Sequence, residues 1–144
     1  MNDTPGSYRT TDLAQRRERG IAAYARIFDA PEETLPAVMA RIVGPLFAEE
    51  VFLAAGGPAW YHPALTDRER HLVIITALAA QGVVDSDRLD SHIQQALRAG
   101  VDYESLAAMM TLVTNYIGQA YGSQAMQAVQ RVADSNSPTS APDS

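Results

Sequence analysis

The chain has 144 residues, of which 47% are hydrophobic and 19% charged, and a formal net charge of −6. That length and apolar content suit one folded domain with a real core, while the acidic balance and the lack of any arginine–aromatic cluster speak against a nucleic-acid partner. The absence of cysteine excludes a disulfide, a thiol nucleophile, an iron–sulfur cluster and a thiolate zinc site, and because all 11 basic residues are arginine no lysine can form a Schiff base.

Residues 1–10 and 134–144 are small and polar and read as disordered tails around a helical domain over 11–133. The first tail lacks the basic and apolar blocks of a secretory signal, so a cytoplasmic location is expected. Between the tails no run alternates with period two, and Leu, Ile, Val, Met and Tyr recur at spacings of three and four, which predicts an all-α bundle of six or seven short helices. The first helix starts at Thr11 or Asp12 and carries Leu13, Ile21, Tyr24, Ala25 and Phe28 inward, ending near Asp29. The second is expected over 31–43, with Leu35, Val38, Met39 and Ile42 buried. Gly44-Pro45 suits a stop followed by a new start, giving a third helix over 45–54. Gly56-Gly57-Pro58 then opens an aromatic loop with Trp60, Tyr61, His62 and Pro63.

Thr66-Asp67-Arg68-Glu69 has the spacing of a capping box. The helix it starts runs to Gly82 and is nearly apolar on all sides, which predicts cover all round, either as the central helix or at a subunit interface. Its longest apolar run, Leu72 to Ala80, is too short to cross a bilayer, so no membrane partner is expected. Asp85 or Ser86 caps the next helix, whose stripe is Leu89, Ile93, Ala96 and Leu97, and Gly100 supplies the stop. Asp102 caps a helix with Leu106, Met109, Met110, Val113, Tyr116 and Ile117 inward. The last helix, about 119–133, turns Tyr121, Ala125, Met126 and Val129 to the core.

Among reactive side chains, His92 lies three residues after Leu89 and four before Ala96, on the buried stripe. A partly desolvated imidazole there suits a general acid or base; the plainer reading is a core histidine with its hydrogen bond satisfied. If the helices around the turn at 83–85 pack antiparallel, His71 comes within one to two turns of His92, although Arg68 and Arg70 beside it favour a solvated helix face. His62, His71 and His92 contain no HxxxH or HxxE pairing, so no metal is expected. Arg68 and Arg70 are candidates for holding a carboxylate, against pairing with Asp67, Glu69 or a neighbouring subunit. Glu49 and Glu50 are candidate proton acceptors or plain solvated acids, and Trp60 and Tyr116 are candidate pocket walls or core residues. No dinucleotide, P-loop or nucleophile-elbow motif is present.

Taken together, RRERGIAAYARIF from Arg16, Trp60 with Pro63-Ala64-Leu65, LTDRERHLVIITALAAQG from Leu65, HIQQALRAGVDYESL from His92 and NYIGQAYGSQAM from Asn115 resemble the carboxymuconolactone decarboxylase family over roughly residues 16–130. The resemblance implies an alkylhydroperoxidase D-like fold of short helices assembled as homotrimers or homohexamers, with sites at or near the subunit contacts. The peroxidase branch of that family uses a Cys-x-x-Cys pair at the positions held here by Asp85 and Arg88, so the decarboxylase branch remains. In the namesake reaction the lactone substrate is its own electron sink, which implies no cofactor. The resemblance then points to His92 as acid or oxyanion partner and to Arg70 or Arg68 as carboxylate binder, with His71, Trp60, His62 and Tyr116 around a small carboxylic acid or lactone. The family's pattern before this hairpin keeps Gly57, Trp60 and Pro63 but has a glutamate in place of Leu53 and an arginine in place of His62. A substrate other than the namesake is therefore expected. The alternatives are a non-catalytic binding or scaffold protein of the same fold, or an isomerase or cyclase acting as a tailoring enzyme.

Overall fold

A computed structural model describes residues 12–137, so both expected tails lie largely outside the described residues, as does Thr11. The described residues are all-α: seven helices of nine residues or more and one single-turn helix, with no strand among them. They fall into two compact units that divide between Thr66 and Asp67.

Unit one holds α1 (Leu13–Phe28), α2 (Leu35–Val43), α3 (Pro45–Ala55) and the single turn α4 (Pro58–Tyr61). Asp12 caps α1 by accepting from the Ala14 N–H, and Asp29 ends it in the left-handed conformation at φ 52°. The core is Ile21, Ala25, Leu35, Ala48 and Phe52, with the Tyr24 ring edge-on to Phe52 at 6.0 Å. α1 and α3 approach so closely that a Cβ at Gly20 would overlap the Phe52 carbonyl, and one at Gly56 would overlap the Arg16 carbonyl. Glycine at these positions is thus a packing requirement.

Three expectations for this unit are corrected. The second helix begins at Leu35 rather than residue 31, because Pro36 has no N–H to donate and is tolerated only in a first turn; residues 31–34 form a turn closed by the Leu35 N–H on the Pro31 carbonyl at 3.1 Å. Ile42, Leu13 and Phe28, expected inward, are 72%, 67% and 36% exposed. The aromatic loop contains a helical turn, since Pro58 can occupy the first position after Gly57.

Unit two holds α5 (Asp67–Ala80), α6 (Asp87–Arg98), α7 (Tyr103–Ile117) and α8 (Gln119–Asn136). Ser86 caps α6 by accepting from the Leu89 N–H, and Asp102 caps α7 by accepting from the Ser105 N–H at 2.7 Å. The core runs through all four helices, with Ile75, Leu89, Ile93, Ala96, Leu106, Met110, Ala125 and Val129 buried almost completely. Gly82 and Gly100 take positive φ, 73° and 91°, as the chain leaves α5 and α6.

Here too the structure departs from expectation. α5 is not a central helix covered all round: it is buried only along His71, Ile75 and Ala79, and Val73, Ala77 and Ala80 are exposed, because within the unit α6, α7 and α8 cover one side, which leaves the subunit-interface alternative. Tyr116 and Tyr121 do not face the core: they are exposed, Tyr116 at 86%. Each stands one residue before a stripe position, Ile117 or Gly122, and one residue is about 100° of turn on a helix. α8 continues to Asn136, three residues into the expected tail.

Candidate functional site

The α5–α6 hairpin brings together two groups that the core of unit two must otherwise exclude. His71 stands one turn before Ile75 on the buried face of α5, and His92 stands between Leu89 and Ala96 on the buried face of α6. They are 8% and 6% exposed, and their Nδ1 atoms are 3.2 Å apart with the rings tilted by 44°. His71 is therefore a partner of His92 rather than a solvated helix-face residue: Arg68 and Arg70 adjoin it in sequence but lie on other faces of the helix.

A contact of this kind dictates tautomers. Hydrogen bonding between two Nδ1 atoms requires one to carry hydrogen and the other a lone pair. In a neutral pair the donor ring then has a basic Nε2, and the acceptor ring has an Nε2–H. The pair accordingly combines one proton acceptor and one N–H donor. If the donor ring gains a proton at Nε2, it can pass its Nδ1 proton to the neighbour, which releases its own from Nε2. Two fixed imidazoles thus form a relay two rings long.

The surroundings keep His92 neutral. Burial first, then His71, then Arg88 lower the His92 pKa from its ordinary 6.5 to about 4. Only about one molecule in a thousand carries the extra proton on His92 at pH 7, a ratio that follows from the three-unit gap between pH and pKa. The lowered pKa makes His92 a weak base and suits it to hydrogen bonding as a neutral ring.

The other candidates have different surroundings. Arg70 donates to Asp67 at 2.8 Å with its side chain only 13% exposed, one of the pairings foreseen for it. Arg68 helps hold the Asp102 carboxyl below its usual range, where the chief cause is the hydrogen bond from the Ser105 backbone. Tyr116 is on the solvent side of α7. In unit one, Arg17 grips Glu49 through two hydrogen bonds of 2.7 Å, which hold that carboxyl below its ordinary value and make it a poor proton acceptor. Glu50 is exposed and Trp60 is half-buried on α4. His62 accepts from the Ala64 N–H at 3.1 Å, the role of a turn cap. Leu53 offers its backbone carbonyl to the Arg16 guanidinium at 2.6 Å.

Among the described residues no three His, Asp or Glu side chains gather as a metal-ligand group, and no helix is long and apolar enough to cross a membrane. Two shallow grooves lie on unit two. One, of about 380 Å³, runs between α7 and α8 past Thr114, Asn115, Gln119 and Met126; the other, of about 540 Å³, borders Tyr103 and Gln130. Neither is lined by His71 or His92.

The sequence gives Arg88 no candidate role beyond the position of an absent cysteine. It is one turn before His92 on α6, and its charge acts on that imidazole. The available signal was the spacing of four.

An all-helical protein with paired imidazoles in a cysteine-free hairpin is defined by these features. Residues 45–131 match the carboxymuconolactone decarboxylase family, well over half of the 144-residue chain, and the chain belongs to that family. Its lack of cysteine agrees with the branch without the Cys-x-x-Cys pair. The match begins at Pro45, so α1 and α2 lie before it. Compared with individual curated proteins, the chain has no match.

Proposed function

We propose that this protein is a cofactor-independent lyase acting on a lactone or cyclic carbonyl acid, with the His71–His92 pair as its proton carrier. The observation that carries the reading is the 3.2 Å contact between two buried imidazole nitrogens, which joins an acceptor and a donor in one fixed unit. In a decarboxylation the bond to the carboxylate carbon breaks, its electron pair passes into the conjugated carbonyl as an enolate, and carbon dioxide leaves. The neutral Nε2–H stabilises the enolate oxygen, and a proton drawn from water through the pair is delivered to carbon. Leu53 and His62, in place of the family's acid and arginine, support a substrate other than the namesake lactone.

Neutrality of His92 favours a second outcome of the same chemistry, isomerisation. There the basic nitrogen removes a proton beside the carbonyl and returns it at another carbon, with no net change in atoms or electrons. The reading also includes a cytoplasmic homotrimer or homohexamer, supported by exposed Ile42, Leu46 and Phe47 at the α2–α3 corner and Val73 on α5.

Carbon dioxide release and solvent-deuterium uptake should be measured on carboxymuconolactone and on related lactones and cyclic keto acids. His92→Ala and His71→Ala should each lower the rate by about 10²-fold or more, the usual contribution of a positioned acid–base group. Unchanged rates in both variants remove the pair from the mechanism. A wild type inert toward the whole set favours the non-catalytic binding protein.

A further inference from the structure

Arg88 is the second residue of α6, four before His92, so the two side chains are neighbours on one helix face, with about 5–6 Å between Cβ atoms. Its side chain is exposed and takes part in no ion pair or hydrogen bond among the described residues. Asp90 is gripped by Arg131 of α8 through contacts of 2.7 and 3.2 Å, and Asp85 acts on the same Arg131. Asp87 adjoins Arg88 in sequence, about 100° around the helix. From α5, His71 faces His92; Arg70 of that helix is paired with Asp67, and the charge of Arg68 falls on Asp102.

We propose that Arg88 and the His71–His92 pair form a single subsite for a monocarboxylate, in which the guanidinium holds the carboxylate and the imidazoles address the neighbouring carbon. The inference rests on the pair as proton carrier and adds the charge type of the substrate. An arginine fork matches a carboxylate in geometry and in charge. Beside it His92 is held neutral and Arg70 is engaged with Asp67, so a second carboxylate on the ligand would give up hydration without a charged partner from these groups. A monoacid therefore binds in preference to a diacid. Occupancy has a further consequence. Once a carboxylate neutralises Arg88, the repulsion that Arg88 exerts on a protonated His92 is removed, and the imidazole becomes a stronger base when the site is loaded.

The test uses the full chain with 15N-labelled histidine, benzoate as the monocarboxylate probe and phthalate as the dicarboxylate. Benzoate should shift the His92 ring signals saturably and raise the pH midpoint of its titration. Arg88→Gln should weaken that binding by about tenfold or more, and Arg88→Lys should restore part of it, as expected for a charge-assisted contact. The exposed position of Arg88 leaves folding unaffected, checked by an unchanged melting temperature. No saturable response in the wild type, equal binding in Arg88→Gln, or tighter binding of phthalate than benzoate overturns the proposal. Binding through Arg88 that survives while His92→Ala keeps full turnover sinks the proton-carrier reading and leaves the carboxylate subsite standing. Loss of turnover in His92→Ala with benzoate binding indifferent to Arg88 does the reverse.

Discussion

In unit one three arginines of a single helix are engaged in structure. Arg16 donates to the Leu53 carbonyl at 2.6 Å, Arg17 clasps Glu49 and Arg19 lies over the Tyr61 ring at 5.4 Å. Unit two places two imidazoles in its core and leaves the Arg88 guanidinium beside them with no ion pair among the described residues. The contrast separates structural from chemical use of polar groups. A surface cation locked to a carbonyl or carboxylate stabilises a helix contact, whereas a buried pair able to exchange a proton adds little that apolar residues of the same shape could not supply. The proposed proton-carrier role accounts for its presence in the core.

The largest effect that can break this contrast is on acid stability. Unfolded, His92 takes up a proton below its ordinary pKa of 6.5; folded, it does so only near 4. Between these values the unfolded chain holds the extra proton, so stability is full above pH 6.5, falls as pH drops through that window and levels out below about 4. Near 1.4 kcal/mol per unit, the loss amounts to about 3 kcal/mol. Urea titrations of wild type and His92→Gln at pH 7, 5.5 and 4 should show the wild type losing more. Parallel curves would mean that His92 is not held neutral by the fold.

Next in size is the backbone contact in unit one. Gly20→Ala should destabilise by about 1–3 kcal/mol, the usual range for overpacking, because the new methyl group meets the Phe52 carbonyl. A melting temperature equal to wild type would show that α1 and α3 can separate without cost. Smallest is the Arg17–Glu49 pair, roughly half-exposed on both sides. Arg17→Ala should cost about 0.2–1 kcal/mol and less in high salt, as surface pairs do. A larger, salt-insensitive loss would move that arginine out of the structural class.

Much of this fold was legible because helical periodicity marks stripes directly. Asp12, Ser86 and Asp102 cap the helices assigned to them, and Leu89, Ile93 and Ala96 are buried as their spacing requires. The misreadings have local causes. Pro36 forbids a helix interior and moves the start of α2 to Leu35, while Tyr116 and Tyr121 stand one residue off their stripes. The apolar composition of α5 does not say which side its own chain covers. The site was legible only in part. His92 followed from its stripe, but His71 was masked by charged neighbours on other faces of the helix. Arg88 was overlooked because an exposed arginine has no signature until the imidazole one turn away is known to be buried.

The central claim is that His71 and His92 form a hydrogen-bonded pair in which one Nδ1 carries the hydrogen and His92 is held neutral, and long-range 1H–15N correlation of their ring nitrogens from pH 3 to 8 tests it most directly. At pH 7 one Nδ1 of the pair should carry hydrogen and the other accept it, with His92 neutral and titrating near 4. Two rings sharing the common Nε2–H tautomer and titrating independently near 6.5 would contradict it.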